Sequence, residues 1–321
     1  MTKVILHIGT PKTGTTAIQS ALAGGVDLLR EHNVHYLEAG RSRNAHNPLA
    51  ISIRSGRPEE TCQMVQSEMG RLPKGAKAII SSEMLSLLPA QKVAAAMPFL
   101  TELEGQIIIY LRRQDRYVEA FYKQKLKNGR ISIPFDEFLT DRRSKELTDY
   151  VAILEDWAAN FPNARIEPCL YEREKLIEQD AVKDFLHRAS LPQSLADGGS
   201  KERNHSPSKN IADLLLLLRQ NYSGKEVRTF YKQLKQLDLA GFSASNDLMS
   251  PSQARAFLKT FDAENEKLRL RYFADQPELF SKPSKRTNED ASEGFDGVQK
   301  EQLGALVRLM VKNANAGTSQ D

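Results

Sequence analysis

Apolar residues along this chain follow two rhythms. Lys3 to Ile8, Ala76 to Ser81 and Gln106 to Leu111 are short, largely apolar runs, and Ala164 to Leu170 fits a fourth strand. Runs of that kind predict strands covered on both faces of a parallel sheet. Between them the spacing turns helical, over residues 15–30, 84–97, 115–127 and 149–160, the last containing Trp157. The alternation predicts an α/β fold: a P-loop-like, doubly wound parallel sheet flanked by helices. After Ser206 the pattern is helical over 211–221, 225–237 and 252–272, which predicts a helical cap or subdomain at about 205–275. Residues 282–297 are polar and rich in Pro, Gly and Ser, the composition of a linker. A short amphipathic helix is expected at 298–311, followed by a tail to residue 321. The expected organisation is therefore one domain over 1–281, a linker, and a helical tail.

Composition narrows the setting. The chain is 40% hydrophobic and 27% charged, an ordinary globular profile. The longest apolar run after the first strand, Leu214 to Leu218, falls far short of the roughly 20 residues that span a bilayer. The opening MTKVILHIG runs into a glycine turn too soon to form a signal-peptide core. Cys62 and Cys169 are far apart and in no metal or redox spacing, which fits a reducing compartment, so a cytoplasmic protein is expected. A net charge of +4 is too small for a nucleic-acid coat but suits a small anionic ligand. His32 and His35 have no neighbouring ligand residues, and no metal is expected.

The chemistry gathers at Gly9-Thr10-Pro11-Lys12-Thr13-Gly14-Thr15-Thr16, between the first strand and the first helix. A glycine turn there lets backbone N–H groups approach a phosphate, and the helix amino end adds its positive dipole. Both glycines keep the spacing of a Walker A loop, yet Thr15 occupies the lysine position and the lysine lies inside the loop at Lys12. A Walker lysine serves the β- and γ-phosphates of a triphosphate, next to a magnesium ion. No apolar strand ends in the Asp that would hold that magnesium: one ends in Ser82-Glu83, another in Arg112-Arg113.

The sequence PKTGTT after a first strand resembles the 5′-phosphosulfate loop of sulfotransferases that use 3′-phosphoadenosine-5′-phosphosulfate (PAPS). Arg112 to Tyr122 resembles that family's second motif, in a bacterial wording. The resemblance covers roughly residues 1–280 and is specific at 9–16 and 111–122. It implies that Pro11, Lys12, Thr13, Gly14, Thr15 and Thr16 hold the 5′-phosphosulfate and that Arg112 holds the 3′-phosphate. Ala120 stands where the family has a serine, and Lys123 or Arg116 is the expected substitute. Asn204 and Ser206, in a segment similar to one near the end of bacterial relatives, are expected to close over the nucleotide.

Transfer of a sulfuryl group to a hydroxyl also needs a base, worth about 10²–10⁴-fold in rate. Two residues qualify: Glu83, at the carboxyl end of the second predicted strand, and His46, in the insertion Val34 to Arg71 expected to line the acceptor cleft. Ser82 is a further candidate contact to the sulfate. By resemblance the acceptor is a carbohydrate or glycolipid hydroxyl, or an amine. Arg41, Arg43, Arg54 and Arg57 suit an anionic glycan, and peripheral contact with a membrane is compatible. Two other readings are carried forward: a P-loop kinase or NTPase using ATP and magnesium, and a non-catalytic nucleotide-binding module.

Overall fold

The computed structural model describes residues 2–198, 207–234 and 247–282. Within them the chain forms two compact units, each interrupted in sequence. The first draws on Met1–Arg113, Asp149–Glu202 and Phe261–Ser281, the second on Gln114–Thr148 and Arg203–Thr260. The helical part expected at about 205–275 falls largely in the second unit. Residues 114–148 also leave the first unit, and the last helix, Asp262–Tyr272, returns to it. The expected helix at 298–311 and most of the linker lie outside the described residues.

The first unit is built on a sheet that, among the described residues, has five strands: β1 (Lys3–His7), β2 (Val34–Tyr36), β3 (Lys77–Ser81), β4 (Gly105–Leu111) and β5 (Ala164–Leu170). Their order is β2-β3-β1-β4-β5, and every pairing is parallel. Ile79, Ile80 and Ile107 through Leu111 are buried because helices cover both faces, as their unbroken apolar runs require. One face packs Ile18, Leu22 and Leu29 with Phe185 and Leu186. Trp157 is buried on the helix Tyr150–Asn160, its ring stacked on Phe161 at 5.0 Å, as a core aromatic.

Three predicted helices break. The first stops at Gly24 and resumes at Val26 across Gly25, whose backbone leaves helical geometry at φ −111° and ψ 26° and whose missing side chain makes room for Leu195. The second is cut at Pro89, which has no N–H to donate: a short 3-10 turn, Leu85–Leu87, precedes it and the helix Ala90–Ala96 follows it. The third divides into Pro251–Lys259 and Asp262–Tyr272 with neither glycine nor proline at the break. Strand β2, three residues long, gave too short a pattern to be read.

The second unit is helical in its described part. Among its described residues the longest helix, Gln114–Lys127, carries the second motif from Gln114 onward. Tyr122 hands its hydroxyl to the Ile133 carbonyl (2.9 Å) and packs on Phe135 and Phe138, so it is a packing residue. Arg116 is paired with Asp247 and Glu119, and the Glu119 carboxylate accepts from the N–H groups of Leu248 and Met249. Gly129 and Gly224 touch backbone to backbone, a contact that no side chain could share. Among the described residues of both units, no helix is long and apolar enough to cross a membrane.

Inside the sheet, His7 at the end of β1 faces Ser81 of β3, with Nδ1 2.8 Å from Oγ. It lies beside Phe185, with its Nε2 buried and unpartnered. Burial pushes its pKa down to about 3, so the folded protein keeps it neutral. An unfolded chain protonates it below pH 6.5. Stability therefore falls as pH drops from 6.5 towards 3, and the loss is complete only below the lower value. We expect the urea midpoint to decline between pH 7 and pH 5, and to decline less in His7→Asn. Parallel profiles for the two proteins would refute this assignment.

Candidate active site

The loop after β1 leaves the sheet at its switch point, where β3 lies on one side and β4 on the other. Gly9, Lys12 and Gly14 all have left-handed backbone, at φ 67°, 72° and 78°. Turns of this kind aim successive N–H groups into one concavity, the arrangement that binds anions. For Lys12, which has a Cβ, the conformation costs of order 1–3 kcal/mol. The loop is tied down from within: Thr10 Oγ donates to the Tyr110 carbonyl (2.8 Å) and Thr13 Oγ to the Thr10 carbonyl (2.6 Å). Thr13 therefore has only its main chain to offer a ligand.

Thr15 and Thr16 open helix α1 (Thr15–Gly24). Gly14 is its N-cap, no side chain caps it, and no acidic residue lies in its first turn. The positive end of the helix thus faces the loop unneutralised. Pro11 and Lys12 form the turn at the loop's tip.

The residue after β4 reaches the same loop. Arg112 donates from its guanidinium to the Lys12 carbonyl (3.2 Å), while its own carbonyl accepts from the Tyr150 hydroxyl (2.6 Å). Its guanidinium lies 5.8 Å from the ring centre of Tyr171, the residue that follows β5. That ring also closes on Gly14, where an added Cβ would meet Tyr171 at 3.2 Å and Ala181 at 2.9 Å. By its type alone Tyr171 reads as a core or interface aromatic. Its signal is positional: like Arg112 it directly follows a strand, at the carboxyl edge where such sheets bind ligands.

Glu83 stands against the other side of the loop. A Cβ at Gly9 would fall 2.8 Å from both Cα and Cβ of Glu83, so the glycine is what admits it. The partly exposed Glu83 carboxylate accepts from Gln19 Nε2 on Oε2 (3.0 Å) and from Asn47 Nδ2 on Oε1 (3.5 Å). Ser82, expected to touch the sulfate, instead donates its hydroxyl to Asn47 Oδ1 (2.6 Å) and receives the Met84 N–H.

His46, the other residue expected as a base, is held by the main chain at the end of β3. It is fully buried, and its Nδ1 accepts the Ser81 N–H (3.1 Å) while its own N–H donates to the Ser81 carbonyl (2.8 Å). The proton of the neutral ring therefore sits on Nε2, which is buried without a hydrogen bond of ordinary geometry. Burial pushes the pKa down to about 4, helped by the Arg41 charge and opposed by the backbone at Leu37 and Ser81. Neither nitrogen presents a lone pair to a substrate. The residue instead pins the segment before the helix Asn47–Arg54 to the end of β3.

The remaining expectations separate. Arg41 is locked by bonds to the carbonyls of Leu37 and Arg43, with its guanidinium 5.0 Å from the ring centre of Tyr36, whereas Arg43, Arg54 and Arg57 are exposed. Lys123 is buried and Arg116 is held by carboxylates within the second unit. Asn204 and Ser206 lie outside the described residues.

Comparison with known proteins adds little beyond this geometry. No protein-family model matches the chain. A protein of Archaeoglobus fulgidus, described only as uncharacterized, is 29% identical over 199 residues, or 61% of this chain. The match spans 53% of that relative, so the chain corresponds to about half its length. A sulfotransferase structure from Alicyclobacillus acidocaldarius is 15% identical, with a TM-score of 0.39 over 74% of this chain and 97% of that one.

An anchoring role for His46 makes a discriminating prediction. Asparagine can place its side-chain oxygen where Nδ1 accepts, so His46→Asn should lose about 1 kcal/mol, against about 2–4 kcal/mol for His46→Ala. Thermal melting separates the two variants. Equal losses would overturn the anchoring role.

Proposed function

We propose that this chain is a PAPS-dependent sulfotransferase, moving the sulfuryl group to an acceptor hydroxyl or amine, with a carbohydrate or glycolipid as the acceptor class. The observation that carries the reading is the lysine inside the phosphate loop. Lys12 takes a left-handed conformation at the loop's tip, and Arg112 bonds to its carbonyl, so two cationic residues are tied to one loop. Thr15 stands at the position where a triphosphate-binding loop needs its lysine. A single 5′-phosphate carrying a sulfuryl group fits a loop with its cation at that place.

In this reading the loop N–H groups, the amino end of α1 and the Thr15 and Thr16 hydroxyls surround the 5′-phosphosulfate. Lys12 neutralises the bridging oxygen, and Arg112 takes the 3′-phosphate by its planar fork. Tyr171 offers a flat ring beside both. Glu83 accepts the acceptor's proton as the new O–S bond forms. The S–O bond to the 5′-phosphate breaks, its electron pair stays on that phosphate, and 3′-phosphoadenosine-5′-phosphate (PAP) leaves. Positioning and electrostatics do most of such work, as in phosphoryl transfer. No step calls for a metal.

PAP and ATP–magnesium, each added with and without a chelator, distinguish the two nucleotide readings by melting temperature. At about 100 times its dissociation constant PAP should stabilise by ~2.7 kcal/mol, several degrees of melting temperature, with or without chelator. Lys12→Ala should weaken that shift. Stabilisation by ATP–magnesium alone would establish the kinase reading instead, and no response to either nucleotide would leave a non-catalytic module.

A further inference from the structure

The proposed base is held by more than its own strand end, and the holding residues are neutral. We infer that Gln19 and Asn47 are positioning residues that clasp the Glu83 carboxylate, one amide to each oxygen, with Ser82 setting the direction of the Asn47 amide. This rests on the reading of Glu83 as the base. Three distant segments supply the parts: Gln19 from the buried face of α1, Asn47 from the first turn of the helix Asn47–Arg54, and Ser82 from the end of β3.

The geometry fixes a direction for each bond. Gln19, buried in α1, gives Nε2 to Oε2 at 3.0 Å. Asn47 gives Nδ2 to Oε1 at 3.5 Å. An asparagine side chain can present either its oxygen or its nitrogen. The Ser82 hydroxyl, fully buried, donates to Asn47 Oδ1 at 2.6 Å and so leaves Nδ2 towards Glu83. Ser82 is itself held, because its N–H donates to the His7 carbonyl and its Oγ receives the Met84 N–H. One residue earlier on each segment, His46 and Ser81 exchange two bonds, which brings Asn47 and Ser82 level.

Chemically, the clasp restrains both oxygens of a partly exposed carboxylate without consuming it in an ion pair. Each oxygen keeps lone pairs beyond the one engaged, so it can still receive a proton. Losing either amide lets the carboxylate turn away from the loop. Displacement of a reacting group by about 1 Å can cost on the order of 10²-fold in rate.

Asn47 provides the sharpest test, because its two possible roles respond oppositely to Asn47→Asp. In the first turn of a helix an aspartate favours the dipole, so a merely structural Asn47 would tolerate it. A clasping Asn47 would not, since the change removes the donor and sets a second carboxylate against Glu83. We expect Asn47→Asp and Gln19→Ala to lower kcat for 35S transfer about 10–100-fold with KM for PAPS held within about twofold. Asn47→Asp should remain folded, with a melting temperature within a few degrees of the parent because the added helix-dipole contact offsets part of the repulsion. Parent-like kcat in Asn47→Asp would overturn the inference.

A second arm needs no acceptor. With selective 15N labelling, the side-chain amide protons of Gln19 and Asn47 should exchange about tenfold faster in Glu83→Ala than in the parent. Unchanged exchange would remove the clasp whatever the activity. Full transfer by Glu83→Gln, in contrast, would remove the base assignment while the exchange arm still judged the contacts.

Discussion

Gly9 has no side chain, and the candidate site depends on that fact. A Cβ there would fall 2.8 Å from Glu83 Cα, a distance that real Cβ atoms essentially never show. With glycine in place, the end of β3 closes on the loop that follows β1, and a carboxylate comes to rest beside that loop. The same residue also supplies the first left-handed turn of that loop. At the far end Gly14 does the same for Tyr171 and Ala181. Between these two close approaches the loop has little freedom, and the strained conformation of Lys12 is held by Thr10, Thr13 and Arg112.

This arrangement explains why chemistry gathers at one edge of the sheet. The phosphate loop, the segment with His46 and Asn47, Glu83, Arg112 and Tyr171 each follow a different strand, and all five strands run parallel. Carboxyl ends therefore collect on one side, around the switch point at β1. The polar groups His7, Ser81 and His46 lie buried at that end of the sheet. Their bonds join β1, β3 and the helix that brings Asn47.

Much of this was legible in the sequence, for physical reasons that also mark where reading stops. Three strands declared themselves because strands buried on two faces are largely apolar, and the fourth, which carries Arg165 and Glu167, by its place after a helix. The loop over 9–16 declared itself as a tight turn because glycine and proline punctuate the passage from a strand to a helix. Glu83 followed from its place after a strand. The unit boundaries were not legible, since the second unit begins in the middle of the second motif and its other half lies about 90 residues on. His46 misled because a loop histidine beside polar residues looks the same whether its nitrogen meets substrate or a backbone N–H. Gln19 and Asn47 carried no signal, as each is an ordinary polar residue of a helix until the fold brings Glu83 within reach.

Lys12 and Glu83 have separable jobs in this account: one belongs to the donor nucleotide, the other to the proton of the acceptor. The direct test is Glu83→Gln, with PAP affinity by calorimetry measured alongside 35S transfer from PAPS to a glycan panel. The account predicts PAP affinity within about twofold of the parent and transfer reduced by about 10²-fold or more. Undiminished transfer, or PAP affinity lost together with the carboxylate, would contradict it.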